Sequence, residues 1–177
     1  MIECEQIYKF IKTTYPCIKM LEVNPRTFVF EERVKLNCFY CGRYSMNWRC
    51  PPRIPTIDYK KVISEFKVGA FVYDNFPFSE ATYADVRIAS SIMVHRALLE
   101  AEKYLLSVGN SMYISFIGGS CKLCKNGCGK EKCNNPYSAR IPLEATGINV
   151  VKSALRYKIS ITFPVENHIT RIGLVLW

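Results

Sequence analysis

No stretch of the chain approaches 18 consecutive apolar residues, which excludes a membrane-spanning helix of ordinary length. The first residues, Met1-Ile2-Glu3-Cys4-Glu5, are acidic where a secretory signal is basic and then apolar. The expectation is a soluble, cytoplasmic protein without a membrane partner. There is no internal repeat or low-complexity tract, no GxGxxG or Walker A run, and no CxxxCxxC step of the radical-SAM kind. Histidine is scarce: His95 and His168 are the two present, and neither sits in a Ser/His/Asp pattern. Disorder and fibrous classes are excluded as well, because 49% of the residues are apolar and 22% charged, close to globular averages. A length of 177 residues fits one domain, 1–177, with a core that needs no staples.

Cysteine is abundant by contrast, with nine residues. Without a secretory signal they read as metal ligands rather than as a disulfide framework. Formal net charge is +9, which taken alone suggests a nucleic-acid or phosphate partner. Metal-bound thiols are deprotonated, however, so one three-thiolate and one four-thiolate cluster would bring +9 to about +6.

Apolar periodicity outlines a mixed α+β fold, a central sheet flanked by helices with two cysteine-bearing loops. Helices are predicted over Ile2–Thr14, from an Asp58 cap to Phe66, over Thr82–Val108 with a stop at Gly109, and over Val150–Tyr157. A short helix around Leu143–Thr146 ends at Gly147. Strands are predicted at Val68–Tyr73, Met112–Ile117, Ile159–Phe163 and Ile172–Trp177, and Met20–Val23 with Thr27–Glu31 reads as a hairpin or two short strands. The first cysteine loop runs from Leu36 to Pro55 and the second from Cys121 to about Pro142.

Seven of the nine cysteines lie in these loops: Cys38-x2-Cys41-x8-Cys50, followed by Pro51-Pro52, and Cys121-x2-Cys124-x3-Cys128-x4-Cys133. A Cys-x2-Cys step turns both sulfurs to one side, where they can converge on one metal or cluster. Zinc sites built from two such pairs separate them by a dozen or more residues, which neither loop does; Cys38/Cys41 with Cys121/Cys124 would strand the other three. Four cysteines within thirteen residues are closer to the compact ferredoxin run, and the Cys50-Pro51 step is similar to the one that closes it. The spacing therefore favours iron–sulfur clusters, of the [4Fe-4S] type, over zinc. Four thiolates saturate one cluster; three leave one iron open unless another ligand, such as Cys17, closes it, while Cys4 belongs to a helix.

The segment from Cys38 to Pro52 resembles the CxxCGxYGxxxxCPP signature of a family of predicted metal-binding proteins found mostly in anaerobic archaea and bacteria. Gly119-Ser-Cys-Lys-Leu-Cys124 is similar to its GxCxLC step, and Arg140 to Val150 resembles its RPSMEAxGIDV segment. The closing Gly173-Leu-Val-Leu-Trp177 is similar too. The departures are Ser45, where the signature has Gly, and Ile141-Pro142, where it has Pro-Ser. The resemblance implies a class of ligand and no particular substrate.

Arg43, Arg49 and Arg53 flank the first loop and Lys122, Lys125, Lys130 and Lys132 the second, charge that is either solvated or able to dock an acidic redox partner. The aromatics Phe39, Tyr40, Tyr44 and Trp48 read as shielding for a cluster, with base stacking as the alternative. His95 reads as a surface or packing residue. Three functions follow: an iron–sulfur protein of anaerobic metabolism in electron transfer or as a redox accessory subunit; an enzyme using open iron on the first loop; or a zinc-stabilised basic module that binds nucleic acid. Whether it is an enzyme stays open at this level.

Overall fold

The most apolar segments form a five-stranded sheet in a computed structural model that describes residues 2–177. Strands β1 (Lys19–Val23), β2 (Gly69–Pro77), β3 (Ile114–Ile117), β4 (Ile141–Pro142) and β5 (His168–Leu176) lie in the order β1-β2-β5-β3-β4. Neighbours are antiparallel except β3 and β4. Helix α4 (Tyr83–Ser107) connects β2 to β3, and both strands are antiparallel to β5, so they run parallel with β5 inserted between them. The predicted mixed α+β fold is thus built on a split β-α-β unit.

Period-two alternation divides the sheet into two buried faces. Ala70, Val72 and Val175 face α4 and helix α1 (Cys4–Thr14), against Ile7, Ile11, Leu98 and Leu105. Phe71, Leu174 and Leu176 face the opposite layer, where helices α3 (Tyr59–Ser64) and α5 (Val150–Leu155) and the segments before them supply Phe28, Ile63, Leu143 and Ile148. Asp58 and Asn149 cap α3 and α5 by accepting the Lys61 and Lys152 backbone N–H groups, each at 3.0 Å. No described helix is long and apolar enough to cross a membrane.

Several elements differ from the sequence-based expectation, each for a local reason. Met20–Val23 is in a strand, but its partner is β2 rather than Thr27–Glu31. Asn24 accepts the Arg26 N–H at 3.0 Å and Pro25 opens a single 3-10 turn, so Asn-Pro-Arg starts a turn of helix instead of closing a hairpin. Phe28 then packs on Phe71, Phe30 makes one bridge to Ile148, and the chain enters helix α2 (Glu32–Tyr40). That helix buries none of its residues, so no apolar stripe announces it. β2 and β5 extend beyond their apolar halves to Pro77 and His168, because ladder bonds continue through Asp74 and Asn75 without apolar side chains. Ile159–Phe163 is irregular: Ile159 is buried, Phe163 is exposed, and Thr170 Oγ1 ties the segment down through the Ser160 carbonyl at 3.1 Å.

Helix α4 follows its predicted span, but its buried face is wider than its apolar stripe. Ser90, Ser91, His95 and Glu102 are buried beside Val94, Ala97, Leu98 and Ala101. This polar flank faces the second cysteine loop, and it positions that loop on the sheet.

Candidate metal centre

The first cysteine loop grows from the end of α2. Cys38 lies in its last turn, and Cys41 ends it by donating its N–H to Asn37 O at 3.0 Å and Cys38 O at 3.3 Å. A chain of tight turns then brings Cys50 back: Tyr44 to Cys41 O (2.9 Å), Ser45 to Pro51 O (2.9 Å), Met46 to Arg43 O (3.1 Å) and Cys50 to Asn47 O (3.1 Å). Ser45 holds the reversal with φ at 59°, in the left-handed region that favours glycine.

Residues Asn47, Trp48 and Arg49 at the tip of that loop fasten the second one. Asn47 Nδ2 donates to Cys121 O at 3.3 Å, while its Oδ1 accepts from the Cys128 thiol at 3.0 Å. Trp48 Nε1 donates to Gly129 O at 2.8 Å with Arg53 stacked 4.2 Å from its ring, and Arg49 donates to Pro136 O at 2.7 Å. Trp48 is therefore spent on joining the loops, while Phe39 and Tyr40 are exposed. Behind the second loop, His95 donates from Nε2 to Ser138 O at 2.8 Å, and burial pulls its pKa down to about 4. The reading of His95 as a surface or packing residue resolves to packing. Arg140 pairs with buried Glu102, which also accepts from Ser115, and donates to Tyr137 O at 2.8 Å.

All nine cysteines are free thiols. Cys38, Cys41 and Cys50 line one cavity of about 370 Å³; none of the second loop's cysteines does. The two sets are nevertheless neighbours. Burial first, then the charges of Cys38, Cys41, Cys121 and Cys128, push Cys50 up to about 12. Cys121 is raised by burial, a shift that the Leu123 N–H opposes and Cys128, Cys124 and Cys133 reinforce. Cys17 lies elsewhere, its sulfur 3.5 Å from Met93 Sδ, and Cys4 packs with α1 against the α4 side of the sheet. Among the described residues no three His, Cys, Asp or Glu side chains converge tightly enough to hold a single ion.

Four cations share the cavity: Arg43 from the first loop, Lys122 from the second, Arg87 from α4 and Arg171 from β5. Sequence reasoning marked Arg43 and Lys122 and missed the other two. The signal for Arg171 was available: extending the last strand to His168 puts Arg171 in phase with Val175, on the face toward α4, where charge is rare. There it donates to Ser90 Oγ at 3.2 Å and Arg87 O at 3.0 Å. Gly118 lets the second loop start here, because a Cβ would stand 2.3 Å from Ile172 O. Glu144 accepts the Gly119 N–H at 3.1 Å and is the cavity's acid. Burial raises its pKa, while burial and then Arg171, Arg87 and Arg43 lower Lys122 to about 8. Both shifts have the same first cause, burial, which disfavours the charged form of each.

The donor chemistry fits a thiolate-ligated group. Three free thiols face one cavity, Cys121 and Cys128 of the second loop lie within electrostatic reach of Cys50, and the Arg49 Nε–H is buried without a hydrogen-bond partner among the described residues, a donor free to serve a group held by the thiols. A family model described as predicted metal-binding protein (DUF2284) matches residues 21–177. No curated protein and no solved structure matches the chain.

Proposed function

The chain belongs to the predicted metal-binding protein family that spans residues 21–177, and from that premise we propose that it is an iron–sulfur redox protein with two unequal sites. Cys121, Cys124, Cys128 and Cys133 would hold a closed group, and Cys38, Cys41 and Cys50 an open one. Such groups supply one-electron exchange and, where one iron lacks a thiolate, a coordination position for a small molecule. The observation that carries this reading is that all three cysteines of the first set, and none of the second, line the cavity of about 370 Å³. The cavity favours chemistry on a small molecule at the first loop over simple electron carriage, with the second loop as the electron relay.

The chain's own residues account for the division. Asn47, Trp48 and Arg49 hold the loops together, so that electrons need cross only a short distance between the two sets. His95 and Arg140 hold the second loop against α4, and Glu144 fixes the Gly119 backbone at the cavity wall. The exposed lysines Lys125, Lys130 and Lys132 would face an acidic redox partner in the cytoplasm. The zinc-stabilised nucleic-acid reading has less support, because Trp48 and Arg53 are stacked on each other rather than displayed.

Single Cys→Ser variants test the grouping. Replacing Cys38, Cys41 or Cys50 is expected to remove about half of the iron and leave the second site's spectrum intact, replacing a second-loop cysteine to remove the other half, and Cys17→Ser to remove none. Iron loss from Cys17→Ser would close the first site with a fourth thiolate and end the case for chemistry there.

A further inference from the structure

The cavity on the first cysteine loop carries more positive charge than its own walls neutralise. Arg43, Arg87, Lys122 and Arg171 reach it from four separate segments, and among the described residues none of the four forms an ion pair. Seven of the 24 Lys and Arg side chains form ion pairs among the described residues, so an unpaired cation is common in this chain; what sets these four apart is that they converge on one cavity. Glu144 is the one acid in the wall and burial disfavours its charged form, which leaves an excess of at least three positive charges, four minus at most one. Two of the cations are held by neutral groups that orient them without cancelling their charge. Lys122 Nζ donates to Ser120 O at 3.0 Å and to the Ser91 and Ser120 hydroxyls at 3.4 Å each. Arg171 is fixed by Ser90 and by the Arg87 carbonyl. Cations set in place before a ligand arrives lower the cost of binding it.

We propose that this cavity binds a small organic dianion, with its charged oxygens among Arg43, Arg87, Lys122 and Arg171 and its carbon body against Val34, Pro51, Pro142 and Ala145. The charge of the ligand follows from the sum and rests on the iron–sulfur reading of the first loop. A [4Fe-4S]²⁺ group on three thiolates carries −1, which reduces the excess of at least three to at least two. The cavity of about 370 Å³ lies at the small end of ligand sites, and a group on Cys38, Cys41 and Cys50 would take part of it, so what is left suits a small metabolite and not a polymer. Guanidinium forks match carboxylates and phosphates alike, so a phosphate monoester and a dicarboxylate share the required chemistry.

Calorimetric titration of the full chain, purified anaerobically, with inorganic phosphate, phenyl phosphate and succinate at constant ionic strength tests this directly. Saturable one-to-one binding is expected for phenyl phosphate or for succinate, and whichever binds identifies the source of the dianion. Arg87→Gln and Arg171→Gln should each weaken it about tenfold or more. Lys60→Gln, an exposed residue of α3, should leave it unchanged. Arg87 is exposed on α4, so its variant keeps the test meaningful if Arg171→Gln fails to fold. Saturable binding of neither phenyl phosphate nor succinate, or binding that survives both arginine variants, would overturn the inference. Metal and sulfide measured on the same samples separate the two claims: metal without dianion binding defeats this inference alone, while dianion binding without iron defeats the iron–sulfur reading and leaves an anion pocket.

Discussion

Between Cys38 and Arg53 the first cysteine loop closes on itself through successive backbone bonds, whereas residues 121–139 of the second contain three, from Gly127, Ser138 and Ala139. The second loop is held from outside instead, by Asn47 and Trp48 on one side and by His95 and the Arg140–Glu102 pair on the other. A loop with its own turns can keep its cysteines facing a cavity without help. A loop shaped by borrowed contacts depends on its anchors and on whatever its cysteines hold. Order in the two loops should therefore respond differently to the same perturbation, and this difference can be measured.

The largest effect is expected from Glu102→Ala. It leaves Arg140 charged and largely buried without its partner, which costs about 3 kcal/mol or more. Thermal unfolding should report the loss, and hydrogen exchange should locate it in residues 121–139 while α2 and the first loop stay protected. Equal loss of protection in both loops would break the distinction.

Acid should act on the same anchor with a defined sign. His95 is held neutral in the fold, with its pKa lowered to about 4 from an ordinary 6.5, so the unfolded chain binds more protons between those values. Its contribution is complete above about pH 6.5 and fades as the pH falls to about 4, by at most about 3 kcal/mol. Glu31, held down to about 2 by Arg33, Lys152 and Asn149, titrates below this window. Chemical denaturation as a function of pH should show the upper window in the natural chain and a flatter profile in His95→Gln.

The smallest effect belongs to the first loop. Ser45→Gly relieves a left-handed residue, a gain partly offset by the greater freedom of glycine in the unfolded chain, and a net stabilisation of about 0.5 kcal/mol is expected. A shift of the melting temperature upward in Ser45→Gly, with metal content unchanged, would show that the turn at Ser45 is intrinsic to the chain.

What could be read from the sequence follows the same divide between self-contained and borrowed structure. The spans of α1, α3, α4 and the apolar parts of β2, β3 and β5 are visible because they bury their own side chains at regular spacing. Helix α2 is invisible to that test, with Leu36, Phe39 and Tyr40 all exposed, although it carries Cys38 and ends at Cys41. The cysteine spacing identified two loops but not that Asn47, Trp48 and Arg49 would join them, since those bonds go to backbone carbonyls that any residue provides. Arg87 and Arg171 escaped notice because they lie 84 residues apart and become neighbours only when α4 crosses β5. Ser45 departs from the glycine of the family signature, and its φ of 59° shows what that position demands.

The most direct measurement is metal and acid-labile sulfide analysis, with an absorption spectrum, on protein purified without oxygen. Two unequal iron–sulfur sites predict about eight iron and eight sulfide per chain, for a pair of [4Fe-4S] groups, and a colour bleached by dithionite and restored on oxidation. A colourless protein with one or two zinc and no sulfide would contradict the account.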